Sequence, residues 1–242
     1  MVHTRSSPSA LRRLSAQLLL ALPLAALSCG DTPFTPNYIP ASPIFSNPTA
    51  ITNSYLPLSS LNVDVLEGTE GGQAARIVRT RLPATRTFTF NGQQVATVIV
   101  LDSAFIDGQL VEVARDYFAQ SDAGDVYYFG EDVDNYLNGQ IVNHEGAWLY
   151  GVHTDRLGLF MPAVPAVGQR FRPEDVPGIT QEDDEVIAVG VRVTVPAGTF
   201  QNCVIIRERL SDGAIEFKVF APGVGVVQEQ PEDGEVNLIA HT

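Results

Sequence analysis

Along most of the chain, apolar and polar residues alternate with a period of two. In Val189-Gly190-Val191-Arg192-Val193-Thr194-Val195 the odd positions are apolar, as they are again in Ile215-Glu216-Phe217-Lys218-Val219. That period belongs to a β-strand with one face buried. Val95 to Leu101 is apolar on both faces, which predicts a central strand. Asn-Gly or Asp-Gly dipeptides at 91–92, 107–108, 138–139, 212–213 and 233–234 separate such runs, and these pairs favour the positive φ angles of tight hairpin turns. No stretch carries a 3.6-residue apolar period capped at both ends. The best helical candidate is the short Pro173-Glu174-Asp175-Val176, where a proline and two acids suit a helix start.

The pattern therefore predicts an all-β, mainly antiparallel fold: a meander of about nine to twelve strands. Twist accumulates in so wide a sheet until it curls, so a half-barrel or open barrel with a concave face is expected. Two long connections interrupt the rhythm, Gly151 to Gln169 and Pro173 to Glu185, the second carrying the acidic run Glu182-Asp183-Asp184-Glu185.

The N-terminus departs from this pattern. Arg12 and Arg13 precede an apolar run, Leu18 to Leu27, too short to span a bilayer, and Ala26-Leu27-Ser28-Cys29 resembles a lipobox. Residues 1–28 are expected to be a bacterial lipoprotein signal peptide, with Cys29 lipidated (palmitate among its acyl chains) as the first residue of the mature chain. Ordinary secretory cleavage near Ala25-Ala26 is the alternative, and it would leave Cys29 a free thiol. Residues 29–57, with prolines at 33, 36, 40, 43, 48 and 57, read as a disordered or extended spacer. Residues 58–242 make a single β-rich domain. The expected location is extracytoplasmic, lipid-anchored to a bacterial membrane facing the periplasm or cell envelope. The outer membrane is favoured in a two-membrane host, because Gly30 supplies no aspartate retention signal.

Composition narrows the partners. There are 28 acidic against 15 basic residues, a net charge of −13, and removing residues 1–28 takes away Arg5, Arg12 and Arg13 but no acid. Such a chain is repelled by nucleic acid and suits cations or basic surfaces. Arg76, Arg79, Arg81 and Arg86 are the one local concentration of positive charge, expected to pair with acidic segments or to attract an anionic partner.

Two segments, Val195-Pro196-Ala197-Gly198-Thr199-Phe200 with Asn202-Cys203, and Phe220-Ala221-Pro222-Gly223-Val224-Gly225-Val226-Val227, resemble a pairing that recurs in an uncharacterised family of exported bacterial β-rich lipoproteins. Asp125 to Asp132 and His144 to Trp148 are similar to parts of that family as well. The resemblance implies a fold and no reaction. Physically, the first segment reads as a turn between strands and the second as a glycine-assisted bend.

Catalytic signatures are missing: there is no Gly-x-Ser-x-Gly elbow, no phosphate-binding loop and no second histidine to make a zincin helix of His144-Glu145. No catalytic residue is assigned. Cys203, ahead of Val204-Ile205-Ile206, reads as a buried strand cysteine. The chemistry left is oxygen ligation. Glu131, Asp132 and Asp134, expected in a loop, with Glu145 across the Asn138-Gly139 hairpin, offer ligands for calcium, although not at EF-hand spacing. Val111, Val113 and Trp148 are candidates to line an apolar ligand site. The leading expectation is a non-catalytic, membrane-tethered lipoprotein that binds an apolar or amphipathic ligand or docks an envelope protein; the alternative is a metal-dependent hydrolase or cation-binding protein using residues 131–145.

Overall fold

The computed structural model describes residues 34–40 and 42–242, so the expected signal peptide and the Cys29 lipidation site lie outside the described residues. Fourteen strands and no helix make up the described chain: β1 (Val63–Glu70), β2 (Gln73–Phe90), β3 (Gln93–Ile106), β4 (Gln109–Gln120), β5 (Val126–Leu137), β6 (Gln140–Asn143), β7 (Trp148–Leu149), β8 (Gly158–Met161), β9 (Arg170–Val176), β10 (Thr180–Val195), β11 (Gly198–Leu210), β12 (Ile215–Ala221), β13 (Gly225–Gln230) and β14 (Gly234–His241). All belong to one antiparallel sheet. Its path is two meanders, β1 to β6 and β9 to β14, joined where β14 pairs with β1. The strips β6, β7 and β8 succeed one another along the outer edge of β5.

The turn chemistry explains three of the five expected hairpins; at Asp212-Gly213 only the glycine has positive φ, and at Asp233-Gly234 neither residue does. Asn91-Gly92, Asp107-Gly108 and Asn138-Gly139 all have positive φ at both residues, between 47° and 80°, the requirement of the type I′ turn that matches strand twist. Gly71-Gly72 uses the same device between β1 and β2. Ala197 lies in the β10–β11 turn and Pro222-Gly223 in the β12–β13 turn, as expected.

With this many strands the sheet curls until its two ends meet without closing into a barrel. At the seam β8 packs on β9 with no ladder between them. A Cβ on Gly158 would overlap the Pro173 carbonyl oxygen, so the contact depends on glycine. The region read as a helix start is the end of β9. Pro173 is tolerated there because β9 has a ladder only on its β10 side, and an unpaired edge does not need the missing N–H. The expected Pro173–Glu185 connection is therefore a hairpin, and its acidic run lies within β10.

The spacer expectation for residues 29–57 also needs correction over its described part. Phe45 and Ile51 are buried in the core. The Asn37 and Tyr38 amides both donate to Arg170 O, and Asn37 Oδ1 accepts from Arg170 N at 2.8 Å. The prolines prevent regular structure, but the apolar side chains between them dock.

Both faces of β5 carry aromatic side chains. Tyr127 and Phe129 meet Phe45, which also contacts Phe90, so the N-terminal segment covers the outside of the sheet here. Tyr128 points inward, stacked on Phe118 at 4.8 Å and edge-on to Trp148 at 5.3 Å.

Candidate functional site: an acid-lined cavity inside the curl

The concave side holds a cavity of about 110 Å³. Its lining combines apolar side chains, Leu56, Leu58, Leu61, Phe118, Phe160, Val224 and Val226 among them, with a belt of carboxylates. Strand alternation and register build the belt. Across β5, β4 and β3, Glu131 pairs with Asp116, and Asp116 sits opposite Val100, two residues from Asp102. Asp102 is register partner of Arg79 on β2, and Arg79 of Asp64 on β1. On the other half, Glu229 pairs with Lys218, Glu208 with Asp184, and Glu182 with Glu174.

Two cations sit among these acids, and both are engaged. Arg79 donates to Asp102 Oδ2 through Nη2 (2.6 Å) and Nε (3.0 Å), and to Glu229 Oε1 at 3.1 Å. Lys218 donates to Glu208 Oε2 at 2.8 Å. Burial alone would lower the pKa of both, but the surrounding carboxylates more than offset it and hold both cations charged. At the rim His241 Nδ1 lies 2.6 Å from Asp64 Oδ1.

The acids are raised as well, which favours their neutral forms. Burial, then the Asp102 charge, raises Asp116 from 3.8 to about 7, against the Tyr128 hydroxyl that donates to it at 2.8 Å. Burial, then Asp184 and Glu208, drives Glu182 well up, and burial, then Glu208, does the same to Asp184. Glu174 accepts the indole N–H of Trp148 at 2.9 Å. Chemically, the wall has an excess of carboxylates over fixed cations in a place poor in water, which stabilises protons or an incoming positive charge.

The residues read from sequence as a cation loop do not converge. They lie on strand β5, where a register shift between Tyr128 and Glu131 leaves both inside, and alternation beyond it puts Asp132 and Asp134 outside. Asp132 accepts from Arg86 (2.7 Å) and from the Tyr117 hydroxyl (2.6 Å); Asp134 accepts from Arg115 (3.1 Å) and lies 3.0 Å from His144 Nδ1. Glu145 is exposed beyond β6. Trp148 is fully buried near the cavity as a hydrogen-bonded anchor, whereas Val111 and Val113 flank the inward Glu112 on β4 and do not line the cavity. Of the arginine cluster, Arg79 pairs inside, and Arg76 with Glu67 and Arg86 with Asp132 outside. Cys203 is buried and free, as expected.

Sequence reasoning held Glu182 and Asp184 only as part of an acidic run read as a hydrated loop, and it missed Glu208, Lys218 and Glu229. A signal existed for Glu208, which occupies an apolar-phase position between Ile206 and Leu210; Lys218, the sole lysine, sits in the polar phase of Ile215 to Val219, and that phase faces inward.

A second, more open groove of about 320 Å³ is lined by Pro36, Tyr38, Pro40 and Pro43 together with Leu159 and Phe171, without such a concentration of charge. No family model, no curated protein and no solved structure matches this chain.

Proposed function

We propose that the protein is an extracytoplasmic, lipid-anchored, non-catalytic binding protein that takes a small amphipathic cation, of the alkylammonium class, into the interior of its curved sheet. One observation carries the reading: the cavity's lining divides between apolar side chains and carboxylates in excess of the already paired Arg79 and Lys218. A positive head set against the acids and a short aliphatic body against Leu56, Leu58 and Phe118 match that division. Size sets the ligand class, since about 110 Å³ is well below the roughly 300–1,000 Å³ of sites for drug-sized ligands, and an acyl chain does not fit. The anchor rests on the sequence around Cys29.

Titration of the purified chain with butylammonium and tetramethylammonium, against uncharged butanol, tests the ligand class. Both cations should bind saturably and raise the melting temperature, by an amount equivalent to about 2.7 kcal/mol at a hundredfold excess over Kd. Butanol should do neither. Equal effects of butanol, or none from the cations, refute the reading. The anchor is tested separately: Cys29→Ala should move the protein to the soluble fraction and abolish fatty-acid labelling.

A further inference from the structure

The far end of the acidic wall is more specific than a general excess of charge. On β10 the two-residue period turns Glu182 and Asp184 inward together, and the β10–β11 register sets Glu208 opposite Asp184. One carboxylate oxygen from each of the three lies within 4.8 Å of the others, and all three residues are buried. Like charges so close are unstable without a counter-charge. Lys218 supplies only one, through its bond to Glu208.

A second observation points to a missing ligand. Asp184 is 3% exposed and bonds Glu182 within the cluster, yet its Oδ1 meets no donor from outside the three acids. A buried acceptor left without a donor is costly, and this one sits where three acids converge on a single bonded cation, Lys218. The donor set is entirely oxygen, with Cys203 and the histidines outside it. That chemistry selects hard ions over zinc or copper.

We propose that Glu182, Asp184 and Glu208 bind one hard divalent cation of the calcium, magnesium or manganese type, its remaining positions filled by water from the adjoining cavity, which Glu182 also lines. This deepens the reading above, placing a defined inorganic cation at one end of the same wall. Lys218 tunes the site by cancelling one of three negative charges, so binding should be moderate.

The test is titration of the full chain, freed of metal with chelator, with calcium, magnesium and manganese by calorimetry and by the manganese electron paramagnetic resonance signal. One ion should bind per chain. Asp184→Asn and Glu182→Gln should each weaken binding at least tenfold, while Glu145→Gln, exposed and remote, leaves it unchanged. In chelator Asp184→Asn should melt higher than the native protein, because it relieves repulsion, whereas a carboxylate with a purely structural role would melt lower when replaced. Absence of binding by all three ions at millimolar concentration overturns the proposal, as does unchanged binding in both variants or loss of binding in Glu145→Gln. Should the chain bind alkylammonium but no divalent ion, the metal site alone falls; metal binding without alkylammonium binding leaves the metal site standing and removes the ligand class.

Discussion

Arg79 and Asp102 are register partners across the β2–β3 ladder, and their side chains meet on the inner face in a two-pronged ion pair whose third arm reaches Glu229 on β13. The guanidinium thus links the two meanders across the interior, on either side of the β1–β14 junction.

Removing that link should be costly. Breaking a buried pair from one side leaves uncompensated charge and typically destabilises by about 3–5 kcal/mol. Arg79→Leu leaves both Asp102 and Glu229 without their partner, so chemical denaturation should show a loss in that range. The double change Arg79→Leu with Asp102→Leu should recover part of it. A single variant within about 1 kcal/mol of the native protein contradicts the arrangement.

Stability should fall as pH rises. Asp116 has its pKa raised from 3.8 to about 7 by burial and by Asp102, so the folded chain holds its proton more tightly than the unfolded one. Its contribution is full below its unfolded pKa and is lost as pH rises through its folded pKa. Asp102, Glu182, Asp184 and Glu208 are raised too, each chiefly by burial, and act in the same direction. Arg79 and Lys218 stay protonated throughout that range and add no slope. In chelator, the melting temperature should be higher at pH 5 than at pH 8, and Asp116→Asn should narrow the difference. A protein equally or more stable at pH 8 contradicts this account.

The seam has its own test. At Gly158 a methyl group would overlap the Pro173 carbonyl, and backbone cannot yield as a side-chain tip can. Gly158→Ala should lose about 1–3 kcal/mol or more and loosen β8 and β9 in hydrogen exchange, with little change at the β2–β3 hairpin. Uniform protection with unchanged stability would show that the ends of the sheet are not held there.

The fold was legible because its determinants are local. A dipeptide such as Asn91-Gly92 dictates its own φ angles and hence a hairpin, and alternation in Val189 to Val195 reports a strand without reference to any other part of the chain. The site was not legible, for the opposite reason. Glu182, Glu208 and Lys218 are brought together by ladders spanning β10 to β12, and nothing local distinguishes four consecutive acids in a hydrated loop from four in a strand with alternate residues inside. Pro173 misled in the same way: its neighbours suit a helix start, and only the free edge of β9 explains its place in a strand. Glu131 and Asp132 look like a joint ligand set when counted along the chain, yet the two-residue period separates them onto opposite faces.

The docking of Asn37 and Tyr38 onto Arg170 shortens the leash that an anchored Cys29 could provide. Counting from Cys29 to Asn37 there are eight steps of chain, an upper reach of about 28 Å at full extension. A chain so anchored has lost Arg5, Arg12 and Arg13, which takes its net charge from −13 to −16; held that near an anionic bilayer it would ride at the taut end of its tether in dilute salt and settle closer as salt screens the repulsion over a Debye length of about 8–10 Å.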